Sequence, residues 1–336
     1  MTLLIGSYTE VLSPELQGRG KGILVSQFDP HDGSINVKAS LYTPNPSYLA
    51  AGKRRTVYAV CERSQASVHA FYVDADFSLK HINSSAIEGS YPCHLAYEHG
   101  CVFVACYETG HISLHPVSAE GAVLPAQQII RHTGSSVNVE RQQSAHPHMI
   151  LMDGNRVFVP DLGMDEVVCY TTALSEKSRI PVPKGSGPRH AVMHSQGKHL
   201  FVLNELTGTV SLIRCVENEY TLLCTASISP HSGGAAAIRI AADGRYMYTS
   251  DRDNHGIAVI RFDIDSESME QVAFYPTDGK NPRDFQLDPT GNWLLAANMD
   301  TDSISVFAVD KKSGLLSLQN QFNNIVSPSC LCWLQE

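Results

Sequence analysis

Pro188-Arg189-His190-Ala191-Val192-Met193-His194, a turn at Ser195-Gln196-Gly197-Lys198, then His199-Leu200-Phe201-Val202-Leu203-Asn204-Glu205 decide the fold. The unit is a proline at a turn, an apolar strand, a glycine-centred turn, and a second apolar strand ending in a polar or acidic residue. It returns at Pro282-Arg283-Asp284-Phe285, with Gly291 in the turn and Ala296-Ala297-Asn298 at the end. Further anchors stand at Pro46, Pro92, Pro147 and Pro328. Ala235 takes the anchor position between Pro188 and Pro282, because Ile238-Arg239-Ile240 then aligns with Phe285-Gln286-Leu287. Successive anchors are 46, 55, 41, 47, 47 and 46 residues apart. A self-similar period of that size, built from short strands, is the signature of a β-propeller.

Counted so that Pro188 opens the fifth unit, that unit reads as four strands at 189–194, 199–204, 209–215 and 220–228, rich in Val, Ile, Tyr and Phe. The seventh repeats the pattern with later strands at 293–298, 303–309 and 316–322. After Pro328 one strand remains, at 329–334, equivalent to an innermost strand. The N-terminal Leu3-Leu4-Ile5-Gly6-Ser7-Tyr8 is equivalent to a second strand, and 22–28 to a third. Joining the two ends completes one blade and pairs edges that would otherwise be exposed. The expected fold is therefore all-β: a seven-bladed β-propeller, four antiparallel strands per blade, closed by its terminal strands, as a single domain over 1–336. Trp293 and Trp333 form no Trp-Asp pair, which separates it from the WD type.

Bulk properties narrow the partners. With a formal charge of −9 and no Lys/Arg-rich run, neither nucleic acid nor an anionic membrane is an expected partner. No stretch reaches membrane-spanning length, and Met1 to Tyr8 lacks the features of a signal peptide. Nine scattered cysteines fit a reduced, cytoplasmic setting. Cys330 and Cys332 read as neighbours on one strand face, and no Cys/His set at zinc spacing or Asp-rich loop calls for a metal. No cofactor is expected. An anionic small molecule would need a local cluster of Arg or Lys.

Topology places such a cluster. An inner strand running down from one face and a second running back bring two sets of residues to one funnel. After the anchors come Ser47, Cys93, His148, Arg189, Ala236, Arg283 and Ser329; ending the second strands are Glu62, Glu108, Asp161, Asn204-Glu205, Asp251-Arg252 and Asn298. Arg offers a planar fork for carboxylate or phosphate, His titrates near neutrality, and a Glu beside Arg stays ionised. His148, Glu205, Arg189 and Arg283 are the candidate catalytic residues; His190, His146, Asn204 and Arg252 are candidate substrate contacts. Each has a plainer role. Asn204, Asp251 and Asn298 recur from blade to blade as turn or capping residues do. Arg189 and Arg283 can bridge to Glu205 or Asp284, and His146, His190 and His94 can be hydrogen-bonded structural groups. The long step holds the segment 134–144, a candidate lid, and the length after Tyr8 through Arg19-Gly20-Lys21 is a second rim loop.

Gly187-Pro188-Arg189-His190, Leu203-Asn204-Glu205-Leu206, Pro160-Asp161-Leu162-Gly163, Asp243-Gly244-Arg245-Tyr246-Met247-Tyr248 and Asn281-Pro282-Arg283 also resemble the bacterial 6-phosphogluconolactonases of the propeller type, a family shared with fungal carboxymuconate lactonizing enzymes. The resemblance covers essentially the whole chain. It departs in the sixth blade, which lacks the proline, and in the second, where Cys61 stands in place of the usual Asn. It implies a small anionic sugar lactone as substrate, with 6-phosphogluconolactone first and a place in the pentose phosphate pathway, and carries a His, a Glu and two Arg onto His148, Glu205, Arg189 and Arg283. One Arg would hold phosphate and the other the oxyanion; His148 or Glu205 would be the base. A muconate-type cycloisomerase and a non-catalytic binding scaffold are the alternatives, since fold kinship does not name a substrate.

Overall fold

A computed structural model describes residues 1–14, 16–228 and 233–335. Among them every regular element is a strand, and no helix is long and apolar enough to cross a membrane. Seven four-stranded antiparallel sheets form the blades, and Val11–Ser13 pairs with Leu16–Gln17 in a small hairpin beside the ring. The fifth blade runs Pro188–Met193, His199–Asn204, Thr209–Val216, Glu219–Ser227, and the seventh Pro282–Leu287, Trp293–Asn298, Ser303–Val309, Leu316–Asn323. These bounds agree with the sequence reading to within a residue or two.

Each inner strand packs against the next around the axis, and the seventh against the first. The core is accordingly divided into seven clusters, one between each pair of neighbouring blades. Second strands are covered on both faces, which is why they read as unbroken apolar runs: all six residues of His199–Asn204 are buried. Outer strands face solvent on one side, and Glu219–Ser227 largely alternates. A fully buried side chain such as Phe158 or Phe201 contributes roughly 1.5–3 kcal/mol of transfer free energy. Stability is thus spread over the interfaces, and each blade depends on both neighbours.

The ring closes as expected. Pro328–Trp333 pairs antiparallel with Thr2–Ser7, matching Leu3 with Trp333, Leu4 with Cys332 and Ile5 with Leu331. Leu331 packs with Leu3 and Ile5 between the seventh and first blades. Deleting residues 329–336 removes this strand, strips the inner edge of Thr2–Ser7 of its partner and opens two core clusters. The expected result is loss of cooperative thermal unfolding; a truncated protein that melted like the full chain would disprove closure as the stabilising device.

Inner strands depart from the simple alternation of a strand at their first turn. In the fifth blade Pro188 faces Asn204 and His190 faces Leu203, so Arg189 is an extra residue. Cys93, Arg283 and Ser329 are extra in the same way. These are β-bulges. The residue before the anchor is left-handed at Asn45, Tyr91, Gly187, Gly234, Asn281 and Ser327, which explains the Gly before Pro188 and the Asn before Pro46 and Pro282. Gly187 (φ 65°) has a second constraint: a Cβ there would lie 2.5 Å from Leu206 Cγ.

Candidate active site

The bulges aim Cys93, Arg189 and Arg283 at the axis, where with His148 they floor a cavity of about 970 Å3. Glu62, Glu205 and Arg252 each follow the last residue of a second strand, and all three reach the same cavity, as does Arg141 from the 134–144 insertion. Every inner-strand start therefore meets second-strand ends on one face of the ring.

Glu205 is the centre of the wall. Its Oε2 lies 2.9 Å from Arg189 Nε and 3.1 Å from Arg252 Nη2, and its Oε1 accepts from Arg141 Nη2 at 2.8 Å. The Arg189 Nε contact is an ion pair without the alignment of a hydrogen bond. Burial alone would push the Glu205 carboxyl up, but Arg252, Arg189 and Arg141 overcome it and hold it well below the usual carboxylate range. Burial pulls Arg189 down to about 10, with Glu205 opposing, so it stays charged at neutral pH. Arg189 Nη1 donates to the Ala236 carbonyl and to His190 Nε2. Arg141 and Arg252 sit higher, with side chains 44% and 21% exposed.

Across the floor, Arg283 Nη2 donates to the Tyr8 hydroxyl at 2.7 Å, with its guanidinium 5.0 Å from the ring centre. Tyr8 donates onward to Glu62 Oε2 at 2.8 Å. Burial raises the Tyr8 phenol, so it keeps its proton and fixes the direction of this chain. His148 Nδ1 lies 3.8 Å from Cys93 Sγ, which leaves Nε2 as the nitrogen open to a reacting group. Burial first, then the Arg189 charge, holds His148 well below 6.5, so it is neutral and able to accept a proton at pH 7. Burial raises the Cys93 thiol well above its usual value, so it is no thiolate. Among the described residues no three His, Cys, Asp or Glu side chains converge in a metal-holding group.

Of the eight residues named from sequence, five line the cavity: His148, Glu205, Arg189, Arg283 and Arg252. Three do not. His146 turns its Nδ1 to the Tyr107 carbonyl at 2.8 Å and stacks on the Tyr107 ring. Asn204 bonds Thr209 and Ser211 inside its own blade, the turn role its recurrence indicated. His190 lies beneath the floor, since the bulge sets it one level down from Arg189. Glu108 is exposed in a turn, and Asp161 caps the backbone of Gly163 and Met164.

Arg141, Tyr107 and Tyr8 were missed as individual residues. Arg141 lies within the insertion that the long step marked as a candidate lid. That insertion is pinned by Asp165, fully buried, whose carboxylate accepts from Ser136, Gln142, and the backbone amides of Gly185 and Gly187. One carboxylate thus fixes both the loop carrying Arg141 and the turn carrying Arg189. The segment after Tyr8 contributes Ser13 and Leu16 to the rim.

A family described as "Lactonase, 7-bladed beta-propeller" matches residues 2–333, and the chain belongs to it. It is a lactone-hydrolysing enzyme. A Bacillus subtilis relative named 6-phosphogluconolactonase is 28% identical, over 99% of this chain and 98% of its own. A Formosa agariphila relative of the same name is 28% identical over 94% of each chain. The solved periplasmic gluconolactonase of Pseudomonas aeruginosa superposes with a TM-score of 0.89 at 29% identity, over 98% of each chain.

Proposed function

We propose that the chain hydrolyses 6-phosphogluconolactone to 6-phosphogluconate in this cavity, without a metal. The observation that carries the reading is the gathering of four guanidinium groups, Arg141, Arg189, Arg252 and Arg283, in the wall of one cavity around Glu205. Asp253 and Asp300 are exposed at the rim, as Arg141 is. Planar guanidinium forks converging on one space suit a phosphate monoester. Arg141 and Arg252, near the mouth, receive the phosphate; the lactone carbonyl then faces the floor, where Arg283 stabilises the oxyanion. His148 Nε2 takes the proton of the attacking water. Glu205, with both oxygens held by guanidinium groups, orients the arginines rather than acting as base. All nine cysteines are free, which supports a reducing, cytoplasmic setting.

The test is hydrolysis of freshly generated 6-phosphogluconolactone and of glucono-δ-lactone, each with its spontaneous rate subtracted. Wild type is expected to prefer the phosphorylated lactone, and Arg141→Gln to lose much of that preference. His148→Ala is expected to lower kcat by ~10²–10⁴-fold. The base works only when unprotonated, so the acid limb of kcat/KM is expected below pH 6.5, with a plateau above it. A wild type at background on both lactones overturns the reading; an ultraviolet change with muconates would then point to cycloisomerase chemistry.

A further inference from the structure

Beneath the floor lies a second, smaller space of about 10 Å3 that shares Cys93, His148, Arg189 and Arg283 with the cavity above it; Ser47, His190 and Ser329 are among its other lining residues. We propose that this chamber seats the water that attacks the lactone, and that Ser47, His190 and Ser329 are its positioning residues. The inference rests on the lactonase reading above.

Three polar groups point to a ligand there. Ser47 Oγ, Ser329 Oγ and His190 Nδ1 belong to residues 4%, 3% and 2% exposed, and none has a hydrogen-bond partner among the described residues. The proton on His190 can be located. Arg189 Nη1 lies 3.2 Å from His190 Nε2, and a guanidinium only donates, so Nε2 accepts. Burial and the Arg189 charge hold His190 neutral, so its one proton sits on Nδ1. That N–H is a donor with no acceptor in a dry interior, a costly arrangement unless something accepts from it. The chamber is polar, has several hydrogen-bonding walls and is about the size of one probe sphere, the conditions for a single bound water.

A water there has the right four neighbours. One lone pair accepts from His190 Nδ1–H. One O–H is given to Ser47 or Ser329 Oγ, and the other to the His148 nitrogen that serves as base. The remaining lone pair is left for the carbonyl carbon. A substrate that enters from the mouth, phosphate at the rim, presents its carbonyl to the floor and does not displace this water. In the step itself the water oxygen bonds to C1 as its proton passes to His148, and the carbonyl π pair moves onto the oxygen facing Arg283. On collapse the bond from C1 to the ring oxygen breaks. The ring oxygen takes the proton back from His148, and the carboxylic acid formed releases its own proton to solvent.

The experiment compares wild type with the Ser47→Ala/Ser329→Ala pair and with Ser329→Val, which fills the chamber. The readouts are kcat, KM, affinity for 6-phosphogluconate, and a high-resolution crystal structure of each. Expected are a water bonded to His190 Nδ1 in wild type, its absence in Ser329→Val, and kcat lowered by ~10²-fold with KM and product affinity within about threefold. Should Ser329→Val fail to fold, the alanine pair, which adds no volume, carries the kinetic test. Variants that keep the wild-type kcat, or a wild-type chamber without water, overturn the inference while leaving the lactonase reading intact. A wild type without lactonase activity overturns the reading itself, and this inference with it.

Discussion

Glu205→Gln is expected to lower stability by about 3–5 kcal/mol and to bring turnover close to background. The amide keeps the shape of the carboxylate but not its charge, and three guanidinium groups converge on that charge. Arg252 and Arg141 are partly exposed and can turn to water. Arg189 cannot: its side chain is 4% exposed, and in its present surroundings burial already pulls it down to about 10. Without Glu205, repulsion from Arg252 and Arg283 acts on it uncompensated, which favours a shifted Arg189 and a displaced floor. Urea unfolding alongside turnover separates two roles. A variant as stable as wild type but inactive would mark Glu205 as the base instead, and one that is both stable and active would leave the carboxylate without a function in the site.

The second large effect concerns acid. His94, His148 and His190 are fully buried around the channel, and burial, aided by nearby arginines, holds all three well below 6.5. In the unfolded chain each titrates near 6.5. As pH falls below that value the unfolded state binds protons that the native state refuses, so stability is full above about 6.5 and declines below it. The slope approaches about 1.4 kcal/mol per pH unit for each histidine, or about 4 for the three together. Urea midpoints measured from pH 7.5 to 5.5 should fall steeply over the lower half of that range. A flat profile would mean that these imidazoles are not held neutral by the fold.

The architecture was readable because it is written many times over. Seven versions of one strand-turn-strand unit share a period, and the single strand left at the C-terminal end pairs with the first strand of the chain to close the ring. Most of the cavity followed from strand direction alone, which is why His148, Arg189, Glu205, Arg252 and Arg283 meet as expected. The errors come from features without a periodic signal. A strand period of two gives no warning that Arg189 and His190 stand at successive levels of one channel; the register slip that does this shows only in the pairing. His146, a candidate substrate contact with a plainer structural role open to it, takes the structural one, because its ring is drawn away by the Tyr107 carbonyl 39 residues earlier. Arg141 depends on a loop whose shape is set by Asp165, through partners on two different blades. Asn204 shows the opposite case, since its recurrence already argued for the turn it makes.

The extra residue at the head of the inner strands that carry Cys93, Arg189, Arg283 and Ser329 also bears on how such a ring changes its chemistry over time. A bulged side chain lies outside the alternation that assigns the rest of the strand to one blade interface or the other, so exchanging it leaves the apolar faces and their register alone. In this chain those positions hold a thiol, two guanidinium groups and a hydroxyl, with an imidazole or a carboxylate one level down in some blades. Packing and reactivity are therefore inherited through separate sets of residues. New substrates can be explored one blade at a time, on a scaffold whose apolar packing is held elsewhere.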